Sequence, residues 1–278
     1  MTTSRIAFIG GGNMARAIVR GLIDSGYDAS AIAIADPLDT TREALAKDFP
    51  GVTVDADNVA VLAGADCVVL AVKPQVLPGI CPALVEAVQR EKPMVVSIAA
   101  GVRGDDIDRW HGGDLAVVRV MPNQPALLRL GVSGLYANPK TTPDQIEVAT
   151  RIMEAVGTVV HVDAETLIDS VTAVSGSGPA YFFLVIDMLA NAGVELGLPE
   201  ADARTMAIET AAGAAALAAA SDDSMETQIA RVRSPGGTTA AALDTMDAHD
   251  VRAIFSAAIR AARDRAIELA DNAAASQD

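Results

Sequence analysis

The sequence predicts an α/β fold: a doubly wound parallel sheet in the N-terminal part, followed by an all-α C-terminal domain. Over residues 1–162, short β-branched runs alternate with helical patterns, as expected of parallel strands joined by crossover helices. Beyond residue 162 the β signal stops and helical spacing runs almost to the end. A chain of 278 residues, 51% of them hydrophobic, is long enough to give both domains a core of their own. The predicted division is therefore 1–162 and 163–278.

The strand-like runs are 5–9, 31–35, 52–54, 67–72, 94–99 and 116–121, and the runs 131–137 and 158–162 add strands that close the first domain. In the second domain, residues 179–197 open with Pro179 and end at Gly197 and Pro199, a start and stop expected of one helix. Its core YFFLVIDML is apolar nearly all round, so the helix is expected to be buried on every side. The Ala- and Gly-rich stretch 207–220 permits close helix approach. From Val251, the residues Ile254, Phe255, Ala258, Ile259, Ala262 and Ala266 recur at helical spacing and predict a long amphipathic helix before a polar tail. These apolar faces exceed what one small helical domain can cover, which predicts a homodimer or an assembly of dimers.

A formal net charge of −15 argues against a nucleic-acid or anionic-membrane partner and for a small-molecule substrate. Cys67 and Cys81 give no disulfide framework, and no metal-ligand spacing occurs. No signal peptide opens the chain and no apolar run is expected to reach membrane-spanning length, so a cytoplasmic location is expected.

The stretch IAFIGGGNMARAI places Gly10, Gly12 and Ala15 in a G-x-G-x-x-G/A pattern between a predicted strand and a predicted helix. The glycines let the backbone turn tightly against a pyrophosphate seated on the helix N-terminus, and Asp36 ends the second strand where a ribose-binding acid is expected. The first domain is thus read as Rossmann-like and dinucleotide-binding. AVKPQ and SIAAG deliver loops to the same edge of the sheet; Lys73 touches phosphate, ribose or substrate there, or is a solvated lysine closing a strand.

The helical domain lacks an obvious acid or base. No lysine follows Lys140, and His111, His161 and His249 stand in no motif. Alcohol or ketone chemistry needs a strong proton donor or acceptor at the oxygen, whereas an imine nitrogen can arrive protonated and needs only hydride. Two polar stretches, SGSGPAY at 175–181 and SPGGTT at 234–239, are expected to enter helices and expose amides and hydroxyls. In the second, Pro235 fixes φ, Gly236 and Gly237 widen the conformational choice, and Thr238 or Thr239 caps the next helix.

FIGGGNMA, AVKPQ, SIAAG, RVMPNQPA, AVSGSGPAY and SPGGTT follow the order and spacing of a known family, and over almost its whole length the chain resembles pyrroline-5-carboxylate reductase. The resemblance implies reduction of Δ1-pyrroline-5-carboxylate to L-proline by NADPH or NADH, on a domain that binds substrate and dimerises through interleaved helices. By position it implies that Ile9, Gly10, Gly11, Gly12, Asn13, Met14, Asp36, Asn58, Ala71, Val72, Lys73, Pro74, Ala99, Ala100 and Gly101 line the cofactor. Glu165, Val174, Ser234, Gly237, Thr238 and Thr239 would surround the substrate. Amides of Gly237 and Thr238 would hold its carboxylate while the Thr239 hydroxyl, the catalytic group, meets the ring nitrogen. The chain departs from the family's common pattern at Gln124, where Thr is usual, and at Asp36-Pro37, where many members carry Ser or Asn-Arg. A reductase of another cyclic imine and a dinucleotide-binding regulator without turnover are the alternative readings.

Overall fold

The computed structural model describes residues 4–275. Among them, β1 (Ile6–Ile9), β2 (Ile32–Ala35), β3 (Thr53–Asp55), β4 (Cys67–Leu70), β5 (Met94–Ser97), β6 (Val117–Met121), β7 (Gly131–Ala137) and β8 (Gly157–His161) form one sheet. Its order is β3-β2-β1-β4-β5-β6-β7-β8. The strands up to β6 pair in parallel; β7 runs antiparallel to β6 and parallel to β8. Chain order reverses between β1 and β4, the switch point at which such sheets open a ligand crevice.

The helices along this part are α1 (Asn13–Asp24), α2 (Asp39–Asp48), α3 (Asn58–Val61), α4 (Leu77–Glu91), α5 (Gly104–Trp110), α6 (Pro143–Glu154) and α7 (Leu167–Val171). Because β1 is covered on both sides, it is a continuous apolar run. Ile6 and Phe8 pack with Ile18, Val19 and Leu22 of α1, while Ala7 and Ile9 pack with Leu62, Leu77 and Leu84. Each such large side chain removed from water contributes about 1.5–3 kcal/mol. Close approach is enforced at Gly21, where a Cβ would lie 2.2 Å from the Ala155 carbonyl oxygen.

The remaining helices are α8 (Gly178–Glu195), α9 (Glu200–Ala219), α10 (Met225–Val232), α11 (Thr238–Ala248) and α12 (Val251–Ala275). Gly197, at φ +96°, ends the α8 run; the Leu198 amide donates to Gly193 and the Gly197 amide to Val194. α8 and α9 approach where Gly193 faces Ala203.

Two compact units result, one running up to Ser177 and including Ala262 onward, the other Gly178–Ala261. The division differs from the expected boundary after 162. Residues 163–177, a turn followed by α7 and the π-helical residues 172–176, belong with the sheet, because Ile168, Asp169 and Ala173 are buried and Gly134 leaves room only for the Val171 side chain. The end of α12 also returns to the first unit, where Ala266 and Ala270 are buried and Leu269 seats against Gly101.

Two further expectations are corrected. In the single chain α8 is not buried on every side: Phe182, Phe183 and Leu184 are 66%, 59% and 58% exposed. The run Leu167–Glu195 is also long and apolar enough, at 29 residues, to cross a membrane by length and composition. Reading SGSG as a loop hid its length. Elsewhere in the second unit Leu217, Val232 and Ile254 are exposed as well.

His111, just beyond α5, is fully buried; its Nδ1 lies 2.8 Å from the Ile107 carbonyl and its Nε2 has no partner. Burial pushes its pKa below the ordinary 6.5, so the folded ring stays neutral where the unfolded ring takes a proton. Its contribution to stability is therefore lost as pH falls below 6.5, at no more than about 1.4 kcal/mol per pH unit. Asp106 and Asp169, with pKa raised by burial, act oppositely and lose their contribution as pH rises above 3.8. Comparison with His111→Gln cancels those carboxylates: the wild-type urea midpoint should fall relative to that of the variant as pH drops below 6.5. Equal pH dependence in both proteins would contradict this.

Candidate active site

Register brings the strand ends to one edge. Ile9 pairs with Ala35 and Leu70, Ala35 with Asp55, and Leu70 with Ser97. The following residues are fixed to this edge by main-chain bonds: Gly10 donates to Ala35, Ala71 to Ile9 and Asp36 to Asp55. Hence Ile9–Met14, Asp36, Asn58, Ala71–Pro74 and Ala99–Gly101 emerge along one side of the sheet. Lys73 is exposed there, before the turn Pro74–Val76.

Gly10 adopts φ +100°, and a Cβ on it would meet the Ala71 oxygen at 2.7 Å. Gly12 is the N-cap of α1 and supplies no side-chain cap; a Cβ there would meet open space. The first amides of α1 therefore face an open cradle, a ready anion site. The Asp36 carboxylate, nearly buried, accepts from the amides of Gly11 at 2.9 Å and Leu38 at 3.0 Å. It ties the glycine loop to β2 and leaves lone pairs for a sugar hydroxyl. Arg42 donates to the Asp36 carbonyl and pairs with Asp39. These residues fit a dinucleotide: an open amide cradle for the pyrophosphate and a carboxylate beside it.

Of the residues assigned to the substrate, Glu165 and Val174 lie in the first unit and Ser234, Gly237, Thr238 and Thr239 in the second. Glu165 Oε1 accepts from buried Arg119 at 2.8 Å and from the Gly104 amide at 2.6 Å. Val174 is 62% exposed within the π-helical turn Thr172–Gly176. SGSGPAY is thus no helix-entering loop, which corrects that expectation. The Ser177 amide reaches back to Thr172 at 2.8 Å, one residue further than in an α-helix, and the run continues into α8.

SPGGTT does enter a helix. Ser234 accepts from the Gly237 amide at 3.0 Å across Pro235 and Gly236, and Gly236 has φ +67°, as the third residue of a type II turn requires. Two details differ from expectation. The Gly237 amide is used by this turn, and α11 has Gly237 as N-cap with no side-chain cap, so neither Thr238 nor Thr239 caps it. The amides of Thr238, Thr239 and Ala240, and the Thr239 hydroxyl, have no partner among the described residues. A Cβ on Gly237 would lie 2.5 Å from Ser234 Oγ and 3.1 Å from the Ser234 carbonyl oxygen, so a side chain there would require Ser234 to turn away.

Sequence reasoning passed over Arg119 and Asn123. The first was signalled by a lone charge in the apolar strand VVRVM. Asn123 stood inside RVMPNQPA without a separate signal. Among the described residues no group of His, Cys, Asp and Glu is arranged to hold a metal ion.

Fold and edge together define the class: an oxidoreductase that uses a nicotinamide dinucleotide, NADPH or NADH. Residues 165–269 match the family model described as pyrroline-5-carboxylate reductase dimerisation, and residues 5–101 the one described as NADP oxidoreductase, coenzyme F420-dependent. The chain is 44% identical over 271 residues to a pyrroline-5-carboxylate reductase of Pseudomonas aeruginosa, covering 98% of each. Among solved structures it is similar to a pyrroline-5-carboxylate reductase from Coxiella burnetii, with a TM-score of 0.92 and 40% identity over 96% of this chain and 99% of that one. The fold is also that of the Plasmodium falciparum pyrroline carboxylate reductase with NADP bound, at TM-score 0.84 and 23% identity over 97% of this chain and 99% of that one. The chain belongs to the pyrroline-5-carboxylate reductase family. Its match to the dimerisation domain supports dimer formation.

Proposed function

We infer that the chain reduces the cyclic imine Δ1-pyrroline-5-carboxylate to L-proline with NAD(P)H, the last step of proline biosynthesis. Beyond family membership, the observation that carries the reading is the start of α11, which has no side-chain cap and whose first amides and Thr239 hydroxyl have no partner among the described residues. The Thr238 and Thr239 amides hold the substrate carboxylate on the helix N-terminus. The Thr239 hydroxyl hydrogen-bonds the ring nitrogen, while Val174, Ser234 and Glu165 border the ring. Gly10–Met14, Asp36, Asn58, Ala71–Pro74 and Ala99–Gly101 bind and orient the dinucleotide. When bound, reduced nicotinamide supplies the hydride. The imine arrives protonated; hydride adds to its carbon, the C=N π electrons pass to nitrogen, and the product is a secondary amine. Positioning carries most of the rate, consistent with a site that offers no strong acid.

A titration of NAD(P)H oxidation with this imine and its six-membered analogue tests the substrate. Preference for the five-membered ring is expected. Preference for the larger ring would favour a different imine reductase, and cofactor binding without oxidation would favour the regulator.

Asp36 motivates a second expectation: NADH is accepted readily, and any NADPH preference in kcat/KM stays below about a hundredfold, near 3 kcal/mol. A carboxylate at the end of β2 repels a 2′-phosphate, and neighbouring Arg42 is already held by Asp39. A larger NADPH preference would show that Asp36 does not read the ribose.

The homodimer is obligate in this account, because a partner must cover the apolar face of α8 and its neighbours; no membrane is needed to do so. Light scattering should give at least twice 28.5 kDa, and a stable, active monomer of that mass would rule it out. Free, buried Cys67 and Cys81 agree with a cytoplasmic location.

A further inference from the structure

Pro179 has no N–H, so it cannot donate to the carbonyl four residues back, that of Ser175. In the structure this carbonyl is instead reached by the Asn123 side chain, whose Nδ2 donates to Ser175 O at 3.1 Å. The same side chain accepts, through Oδ1, from the Val132 amide at 2.9 Å. Asn123 therefore links the start of β7 to the π-helical turn with both ends of its amide. At this point the turn lies against the Met121 side chain: a Cβ on Gly176 would lie 2.6 Å from Met121 Cε, at the end of the strand that leads to Asn123. Carbonyls nearby are satisfied by hydroxyls, Ser175 Oγ donating to Val171 and Thr172 Oγ1 to Ile168.

We propose that Asn123 is a positioning residue for substrate binding: its amide supplies the donor that Pro179 lacks and so fixes the turn that presents Val174. This rests on the reading, given above, that Val174 borders the imine. Neither Arg119 nor Glu165 can substitute: Arg119 donates to Glu165, which also accepts from the Gly104 amide. In α pairing the Ser175 carbonyl would otherwise be unanswered, and the turn would have a choice between α and π pairing.

Asn123→Asp keeps the size of the side chain and puts an acceptor where the donor stood. The expected result is a rise in KM for the imine of roughly tenfold, with KM for NAD(P)H unchanged. Hydrogen exchange at the amides of 173–177 should also speed up in the cofactor-free protein. Asn123→Asp combined with Pro179→Ala restores a main-chain donor to Ser175, and KM should return toward the wild-type value. If exchange is unchanged, or if Pro179→Ala gives no rescue, the link from Asn123 to Ser175 is overturned. Faster exchange with an unchanged imine KM overturns the placement of Val174 at the substrate. Wild-type turnover of the imine, measured alongside, tests the activity itself. Should the single variant not fold, the double variant alone decides: wild-type imine KM supports the proposal, and a KM still raised overturns it.

Discussion

Replacing Thr239 by Ala is expected to lower kcat/KM for the imine roughly tenfold to a hundredfold, about 1–3 kcal/mol, because it removes the hydrogen bond that holds the ring nitrogen while that nitrogen passes from iminium to amine. Thr239→Ser should keep most of the activity. A capping threonine would show a different pattern, with stability lowered by about 1 kcal/mol and turnover nearly intact. The structure gives little room for that pattern, since Gly237 is the N-cap of α11 and the Thr239 hydroxyl bonds to no described residue. Melting temperature and kcat/KM measured on one variant separate the two. Unchanged kcat/KM removes Thr239 from the mechanism.

Gly10→Ala should have the largest effect on the dinucleotide site. At φ +100° a side chain is strained, and its Cβ would also meet the Ala71 oxygen at 2.7 Å and Val72 Cγ1 at 2.8 Å. Strain of about 1–3 kcal/mol and overpacking of similar size combine, so a stability loss of about 3 kcal/mol or more is expected. Relief requires the chain after β1 to move away from that after β4, which displaces two of the loops proposed to bind the cofactor. NADPH affinity should fall at least about tenfold, or 1.4 kcal/mol, in whatever fraction folds. Gly12→Ala is the control: its Cβ meets nothing, so its cost should be confined to the cradle itself. A Gly10→Ala protein with wild-type melting and wild-type cofactor affinity would show that this close approach is not needed.

Most strands were legible because a doubly covered parallel strand must be apolar throughout. The runs 5–9 and 67–72 became β1 (Ile6–Ile9) and β4 (Cys67–Leu70) with little change. The glycine loop was legible for a similar reason: positive φ at Gly10 admits few other residues. What escaped depends on distant partners. The π turn needs the i to i−5 pairing of Thr172 and Ser177, the donor from Asn123 and the space at Gly176 beside Met121, none of which shows in the string SGSGPAY. Arg119 and Glu165 stand far apart in sequence and meet only once β6 and α7 are packed. The return of α12 to Gly101 is likewise a tertiary event. For α8, the apolar pattern announced a helix buried on every side, whereas in the protomer Phe182, Phe183 and Leu184 are exposed; composition does not distinguish cover by the same chain from cover by a partner.

The most direct test is product analysis with purified protein, Δ1-pyrroline-5-carboxylate and NAD(P)H. The account predicts L-proline formed one for one with NAD(P)H oxidised, with oxidation strictly dependent on the imine. Imine-independent oxidation, or oxidation without proline, would contradict it.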